Sequence, residues 1–365
     1  MVSDPSRRPG AVHDVVSSNG DNRRTDVAHV ARPRWAVAAP FFTATTDRWI
    51  SDFVSPDLAD FVKVTRVGEE LSWHHRSTQH SGWKEWAAYG RQAHAALRAS
   101  NSGVVTVFPQ LAIVAALEKR VRRLEVKLVS WFFNTELQTG RREQVCRRVA
   151  PAIDRFVVHS TREIDIYSDR LGVDQRRFSF VPLQFGGEVA DDPVDDDAPF
   201  VFATGSGYRD YATFFRAVER LNLPTKVLAG TRVLTGLRVP SCVEILPQLP
   251  KSEIHRLVRQ ATVNVVPMTT EGANGGLVTI VESFRHGRFV VATDRAGIED
   301  YVHPNENSLV HAPGDAEDLA TVIEAAWRDE QLRARLDDGA LRFADAHCTD
   351  HAAGSALGRI LAELD

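Results

Sequence analysis

The chain of 365 residues is 43% hydrophobic and 25% charged, which is the composition of an ordinary globular protein with room for two domains. Its longest apolar run, 111–117, is far shorter than the roughly 20 residues of a membrane-spanning helix, and its three scattered cysteines match no metal or redox spacing, so we expect a cytoplasmic protein. A net charge of −4 and a pI near 6.4 argue against a nucleic-acid-binding protein.

The charge is divided unevenly along the chain. Residues 34–183 carry 22 basic against 16 acidic side chains, a balance of +6, whereas residues 184–365 carry 17 against 28, a balance of −11. Such a split suggests two units with different partners, although two merely solvated surfaces would explain it as well. Residues 1–33 are rich in Ser, Asp, Arg, Pro and Gly, and they predict a disordered tail.

After residue 33, apolar runs of strand length alternate with helical patterns. In the first half we predict strands at 34–42, 103–108, 126–133, 155–160 and 177–187, with helices at 109–123, 141–153 and 161–173. An acidic, proline-interrupted linker follows at 188–199. In the second half we predict strands at 200–205, 225–230, 242–247, 263–268, 289–293 and 307–312, with helices at 211–221, 251–261, from 277 onward, and at 315–329.

This alternation is typical of βαβ units and parallel sheets. We therefore predict an α/β protein built from two doubly wound, Rossmann-like domains that face a central cleft. The first domain spans 34–187 and the second spans 200–345. Residues 346–365 form a C-terminal helix, with the option that it crosses back to the first domain.

Two glycine-containing loops of the second half follow predicted strands, where ligands bind in open α/β sheets. Gly205 and Gly207 let the backbone approach a ligand closely, and Arg209 stands at the mouth of the next helix. Free N–H groups and a guanidinium suit a phosphate, although a glycine turn after a strand also has a purely structural reading.

The second loop ends at Gly275 and Gly276, and a helix begins near Leu277. The bare N–H groups of Leu277 and Val278 suit a diphosphate. Glu282 lies roughly 9 Å further along that helix at about 1.5 Å per residue, which matches the distance from a diphosphate to the far hydroxyls of its ribose. We therefore predict that the glycines bind the phosphates and that Glu282 binds the ribose.

From about residue 200 to 345, some 40% of the chain, the order of motifs resembles the donor-binding domain of GT-B-fold, Leloir-type glycosyltransferases, closest to glycosyltransferase family 4. The segments that carry the resemblance are "GYRDYATFFRAV" (207–218), "LPKSEIHRLVRQATVNVVPM" (249–268), "GGLVTIVESFRHGRFVVATDRAGIEDYV" (275–302) and "NSLVHAPGDAEDLATVIEAAWRD" (307–329). The resemblance implies transfer of a sugar from a nucleoside diphosphate sugar to a hydroxyl-bearing acceptor, whose binding falls to the first half.

The chain departs from the family pattern at two places. The family has two signature glutamates separated by seven residues; the second corresponds to Glu282, but the first falls on Asn274, and Glu271 lies three residues too early. The family's Arg and Lys pair at the diphosphate is incomplete, since Arg209 corresponds to the lysine and the arginine has no clear counterpart. We expect Glu271 and Asn274 to face the donor sugar.

The resemblance further implies retention of the anomeric configuration, with helix N-termini and basic side chains neutralising the leaving group instead of a metal or another cofactor. A D-x-D motif at Asp195 and Asp197 falls in the linker, where a metal role is an alternative. An inverting relative would need a general base, for which histidine is suited. We assign catalysis to Asn274, Glu282 and His75 on these grounds.

The acceptor-side candidates come from "SWHHRSTQHSGWKEW" (72–86) and "SWFFNTEL" (130–137), although both stretches could be plain polar loops or core. The candidates are Trp73, His74, His75, His80, Trp83 and Glu136. As partners we predict a nucleotide-sugar donor and a small-molecule, glycan or lipid-linked acceptor, with no nucleic acid. The basic first half leaves contact with a membrane surface open. The rival readings are a GT-B nucleotide-sugar epimerase and a catalytically silent, glycosyltransferase-like binding protein.

Overall fold

The computed structural model describes residues 32–43, 48–66, 82–134, 140–186, 198–271 and 275–364, except for the side chains of Arg141 and Arg142. Most of the predicted tail and of the predicted linker therefore lies outside the described residues. Within them, no helix combines the length and the apolar character that crossing a bilayer requires.

The first half of the chain forms a six-stranded parallel sheet in the order β2-β1-β3-β4-β5-β6. Its strands are β1 (Arg34–Ala38), β2 (Asp60–Val64), β3 (Gly103–Val107), β4 (Lys127–Trp131), β5 (Arg155–Val158) and β6 (Phe178–Phe180). The helices are α1 (Trp83–Ala99), α2 (Pro109–Arg122), α3 (Arg141–Val149) and α4 (Arg162–Leu171). Strand β3 is buried at all five positions, as expected of a parallel strand that is covered on both faces.

The second half forms another six-stranded parallel sheet, in the order β12-β11-β10-β7-β8-β9. Its strands are β7 (Val201–Thr204), β8 (Thr225–Leu228), β9 (Val243–Ile245), β10 (Val263–Val266), β11 (Val290–Thr293) and β12 (Ser308–His311). The helices are α5 (Tyr211–Leu221), α6 (Thr231–Leu234), α7 (Lys251–Gln260), α8 (Leu277–Arg285), α9 (Ala316–Arg328), α10 (Glu330–His347) and α11 (Asp350–Ala362). The two sheets confirm the predicted α/β, doubly wound class.

One local prediction is wrong. Residues 83–86 are not part of a loop but form the first turn of α1. The carboxylate of Glu85 accepts a hydrogen bond from the N–H of Gly82 at 2.8 Å, which satisfies a free donor at the helix start. Trp86 packs against the buried cluster of the first sheet, whereas the side chain of Trp83 remains 77% exposed.

The last helix, α11, packs against the first sheet although it follows the second in the chain. Its apolar face, at Ala353, Leu357 and Ile360, shares a buried cluster with Trp35 of β1. At Gly354 an added Cβ would meet the backbone of residue 53, so a side chain there would force the helix away. Helix α11 thus completes a buried cluster of the first sheet.

A short segment after β11 ties the two sheets together. The carboxylate of Asp300 accepts hydrogen bonds from the backbone N–H of Thr161 at 2.8 Å and from the hydroxyl of Ser160 at 3.1 Å, both just beyond β5. The hydroxyl of Tyr301 donates to the carbonyl of His159 at 2.7 Å and accepts from the N–H of Leu183 at 2.8 Å. The carboxyl ends of the two sheets are therefore held in a defined relation.

Candidate functional site

The strand order of the second sheet locates its ligand-binding crevice. Strand β7 has β8 on one side and β10 on the other, so the order reverses between β7 and β10. In open α/β sheets, ligands bind beyond the carboxyl ends of the strands at such a switch point. The two predicted glycine loops follow these two strands and therefore meet there.

The loop after β7 is held by Arg209. Its guanidinium donates to the carbonyls of Thr204 at 3.1 Å and Gly207 at 2.9 Å and to the Thr279 hydroxyl of α8 at 2.8 Å. Gly205 has φ +103°, and an added Cβ would lie 2.6 Å from the Arg209 guanidinium. Glycine is therefore required at this point of the loop.

The side chain of Arg209 is only 8% exposed. Burial lowers its pKa, Tyr211 opposes that effect, and the nearby positive charge of Arg295 lowers the pKa further. The residue thus combines a structural role in the loop with a positive charge that is held close to the start of α8.

Helix α8 begins at Leu277, as predicted, with Gly276 as its N-cap at φ +88°. No side chain caps this end among the described residues, so its first N–H groups stay available. A Cβ on Gly276 would collide with the sulfur of Met268. The glycine therefore allows the helix to start directly against the end of β10.

Arg295 is a functional candidate that the sequence reasoning missed. It lies two residues beyond β11, is 8% exposed, and places Nη1 2.8 Å from where a Cβ of Gly275 would be. The available signal was its position at the carboxyl end of a predicted strand. Two guanidinium groups, not one, therefore stand beside the glycine loop.

A cavity of about 260 Å³ opens where these elements meet the first sheet. The residues that line it from the second sheet are Gly207, Tyr208, Arg209, Gly275, Gly276, Leu277, Val278 and Thr279. Those that line it from the first half are Phe132, Asn134, His159 and Leu183. One wall is thus rich in backbone N–H groups and positive charge. The other, which we call the apolar wall after Phe132 and Leu183, also holds the polar but uncharged Asn134 and His159.

The apolar wall has a strained backbone. Phe108 and Phe132, which follow the neighbouring strands β3 and β4, have φ of +70° and +56°, a region that residues with side chains rarely occupy. Their rings meet edge to face at 5.2 Å, and Phe132 packs on His159 at 4.7 Å. Such conformations cluster at functional sites, because the surrounding structure must hold them in place.

His159, at the end of β5, is the second residue that the sequence reasoning missed. Its side chain is 4% exposed, and burial lowers its pKa to about 4. The only available signal was a histidine near the end of the predicted strand 155–160, since its neighbours at the cavity come from distant parts of the chain.

Glu282 does not line this cavity among the described residues. Its Oε1 lies 2.8 Å from Nε2 of His255 on α7, an ion-pair contact rather than a well-directed hydrogen bond. Burial raises the pKa of Glu282, and Lys251 opposes that effect. Burial together with Lys251 and Arg259 lowers the pKa of His255. The side chain is therefore mostly buried, as its apolar neighbours in the sequence indicate, and its carboxylate lies against α7.

The remaining predicted residues divide into two groups. Glu271 is exposed at the end of the loop after β10, and Trp83 is exposed at the start of α1. Outside the described residues lie Trp73, His74, His75, His80, Glu136, Asp195, Asp197 and Asn274. In the described part of the chain, no group of three His, Cys, Asp or Glu side chains forms a metal-binding cluster.

Comparison with known proteins agrees with this geometry. Residues 209–329 match the family model described as glycosyl transferases group 1. No curated protein matches the sequence. The match covers the two arginines, α8 and Glu282, so the predicted resemblance to this group is confirmed on the donor side.

Three solved structures share the fold at low sequence identity. Sucrose-phosphate synthase from Thermosynechococcus elongatus has a TM-score of 0.67 at 15% identity, over 91% of this chain and 99% of its own. A glycosyltransferase from Rickettsia africae has a TM-score of 0.66 at 12% identity, over 92% and 99%. HepE from Anabaena, solved with UDP and glucose, has a TM-score of 0.64 at 14% identity, over 91% and 100%. The GT-B fold predicted from the sequence is thereby confirmed.

Proposed function

We propose that this chain, a GT-B protein whose residues 209–329 carry the sequence of the group 1 glycosyl transferases, moves a sugar from a nucleoside diphosphate sugar to a hydroxyl of an acceptor. The observation that carries the proposal is the cavity between the sheets, where the free start of α8 and a buried arginine face an apolar wall. HepE, which has the same fold, is known with UDP and glucose bound.

The positive wall accounts for the leaving group. When the bond between the anomeric carbon and the phosphate oxygen breaks, negative charge grows on the nucleoside diphosphate. We propose that the N–H groups at the start of α8 and the positive charge of Arg209 stabilise it. Arg209 is fixed by its hydrogen bonds to Thr204, Gly207 and Thr279, so little reorganisation is needed. Arg295, beside Gly275, supplies the second positive charge that we could not assign from the sequence. We propose that these groups act without a metal ion.

We further propose that the anomeric configuration is retained. The acceptor oxygen then attacks from the face that the phosphate leaves, and its proton passes to a phosphate oxygen of the donor, so no strongly basic side chain is required. His159, the described histidine at the cavity, has a pKa of about 4 and is a weak base. Proton NMR of the glycoside product, read at its anomeric proton, tests this point; an inverted anomer contradicts it.

Calorimetric titration with UDP, GDP, ADP and dTDP in the presence of EDTA tests the donor site. We expect one nucleotide to bind with a micromolar dissociation constant that EDTA leaves unchanged. Absence of binding by all four would contradict the proposed function, and binding that EDTA abolishes would contradict its metal-free form.

Val278 allows a sharper test of the same site, since it lies in the first turn of α8, lines the cavity and is 59% exposed. A carboxylate there suits the helix dipole and so preserves folding, yet it occupies the place of the diphosphate. We expect Val278→Asp to weaken nucleotide binding at least tenfold with an unchanged or higher melting temperature. The near-isosteric Val278→Asn is the matched control, and we expect it to retain most of the affinity. Equal affinities of the two variants would place the diphosphate elsewhere.

A further inference from the structure

His159 has four polar groups, and the protein satisfies three of them. Its backbone N–H donates to the carboxylate of Glu163 at 3.0 Å, and its carbonyl accepts from the Tyr301 hydroxyl at 2.7 Å. Its Nδ1 lies 2.7 Å from the carbonyl oxygen of Val181. A carbonyl can only accept, so Nδ1 carries the proton and the tautomer is fixed.

The fourth group, Nε2, is buried and has no hydrogen-bond partner among the described residues. With the proton on Nδ1, Nε2 presents a lone pair on the side of the ring that faces away from Val181. The ring itself lines the cavity. A buried acceptor without a partner raises the free energy of the folded protein. The site is therefore complete only when a ligand supplies a donor.

The ring cannot easily turn to find a partner of its own. Phe132 lies against it at 4.7 Å, and Trp131 meets it at 6.3 Å. Glu163, which holds the backbone of His159, also accepts from the N–H of Ser160 at 3.1 Å and from the hydroxyl of Tyr167 at 3.1 Å. The acceptor atom is thus fixed in place before any ligand arrives.

The chemistry of the partner follows from the wall on which His159 stands. The wall that we propose to bind phosphate, at Arg209 and the start of α8, lies on the other side of the cavity. The wall that contains His159 holds the apolar Phe132 and Leu183 and the neutral amide of Asn134, with no carboxylate or cationic side chain among its described residues. A bare nitrogen acceptor in such surroundings repels an anion and suits a neutral hydroxyl. We propose that Nε2 of His159 accepts a hydrogen bond from a ligand hydroxyl, on the transferred sugar or on the acceptor, and so orients the reacting sugar. This inference rests on the proposed function for the identity of the ligand.

The test uses the replacement His159→Asn, whose amide preserves a donor near Nδ1 but removes the acceptor at Nε2. We expect the affinity for the nucleoside diphosphate alone, UDP for example, to stay within twofold of the wild type. If the hydroxyl belongs to the transferred sugar, the affinity for the matching nucleotide sugar, such as UDP-glucose, falls roughly tenfold. If it belongs to the acceptor, the acceptor KM rises instead and the affinity for the nucleotide sugar is unchanged.

His159→Gln, which restores an acceptor oxygen near the position of Nε2, is expected to recover part of the loss, and it serves as the test variant should His159→Asn not fold. The exposed His94→Asn controls for nonspecific effects of such a change. The inference is overturned if neither sugar nor acceptor binding changes. It is equally overturned if UDP alone loses the same tenfold, because His159 would then act only through the donor site.

A readout without any substrate separates this inference from the proposed function. Nitrogen NMR of histidine-labelled protein at neutral pH should show His159 neutral, with the proton on Nδ1 and a bare Nε2. A proton on Nε2 would overturn the inference even if nucleotides bind. Conversely, a wild-type protein that binds no nucleotide but shows the bare Nε2 contradicts the proposed function. The inference that Nε2 accepts a hydrogen bond from a ligand hydroxyl would then stand, with a ligand other than a nucleotide sugar.

Discussion

The carboxylate of Glu282 lies on α8, where burial raises its pKa and where its Oε1 lies 2.8 Å from Nε2 of His255. The sequence predicts that it binds the ribose of the donor, and we propose that two ribose hydroxyls donate hydrogen bonds to it in place of its contact with His255. We expect Glu282→Gln to lower the affinity for the nucleotide by about 5- to 100-fold, since the loss of an acceptor to buried donors costs about 1–3 kcal/mol. Calorimetry measures the effect directly.

Glu253→Gln on the adjacent helix α7 is the matched control, since Glu253 pairs with Arg256 at the surface. If Glu282→Gln binds the nucleotide like the wild type while Val278→Asp does not, the diphosphate site stands and the ribose lies away from Glu282.

At the scale of single residues, the sequence predicted the site residues whose role follows from their position next to a strand or a helix. Gly205, Gly276 and Arg209 follow strands or precede helices, and such positions can be read along the chain. His159 and Arg295 could not be found in this way. The role of His159 depends on residues such as Tyr301, more than a hundred positions away in the chain. The role of Arg295 depends on the glycine loop at Gly275, which folds back against it. The folded structure brings His159 to the wall of the cavity and Arg295 beside Gly275.

Two glycines of the site serve different purposes at the level of the elements. Gly276 joins β10 to α8 at a positive φ, and a Cβ there would strike Met268. We expect Gly276→Ala to lower the free energy of unfolding by about 1–3 kcal/mol, from backbone strain together with overpacking. Urea unfolding measures the change.

Gly207 is the matched case, since its φ is not positive and an added Cβ would have no heavy atom within 4 Å. We expect Gly207→Ala to leave stability unchanged or slightly raised. Because this glycine lines the cavity, the same methyl should instead weaken nucleotide binding. A large loss of stability in Gly207→Ala, or none in Gly276→Ala, would contradict this division of roles.

Helices and strands were predictable where the spacing of apolar residues agrees with the residues that typically start or end such an element. Helix α4 was predicted within 161–173, and it ends at Leu171, followed by Gly172 in the left-handed conformation that glycine adopts readily. Helix α1 was missed because its start, at Trp83, lies in a stretch whose histidines and tryptophans suggested a ligand loop. The helix starts there because Glu85 caps it locally and because Trp86 packs against the buried cluster of the first sheet, and the second contact is a tertiary effect.

At the scale of the whole molecule, each half contains a buried histidine whose pKa is lowered to about 4 by burial, His159 in the first and His286 in the second. In the unfolded chain both have a pKa near 6.5, so between pH 6.5 and 4 the unfolded state binds protons that the folded state does not. Stability is unaffected above pH 6.5 and falls below it, by roughly 2 kcal/mol per histidine at pH 5.

His286→Phe tests this expectation, because the ring packs beside Phe185 and neither of its nitrogens has a partner among the described residues. We expect the variant to gain stability over the wild type by an amount that grows as the pH falls from 7 to 5. Urea unfolding at both values measures it, and a difference that is independent of pH would contradict the assignment.

The overall architecture could be predicted since strand and helix signals alternate along most of the chain, although β2 and α1 gave none that was recognised. The contacts between the halves could not. Asp300 was part of a recognised motif, yet nothing local indicates that its carboxylate reaches Thr161 beyond β5. Such contacts couple the cavity to the relative placement of the two sheets, which is why both walls of the site must be considered together.

The return of α11 to the first sheet has a consequence for how the protein is made. A ribosome releases β1 to β6 long before it adds residues 350–362, yet the layer around Trp35 gains Leu357 and Ile360 only from that last helix. During synthesis the first sheet therefore lacks the helix that covers the apolar face around Trp35 until the second half has emerged from the ribosome. We expect chaperones that shield apolar faces during translation to assist the folding of this chain. A polypeptide cut short before α11 would keep this face uncovered.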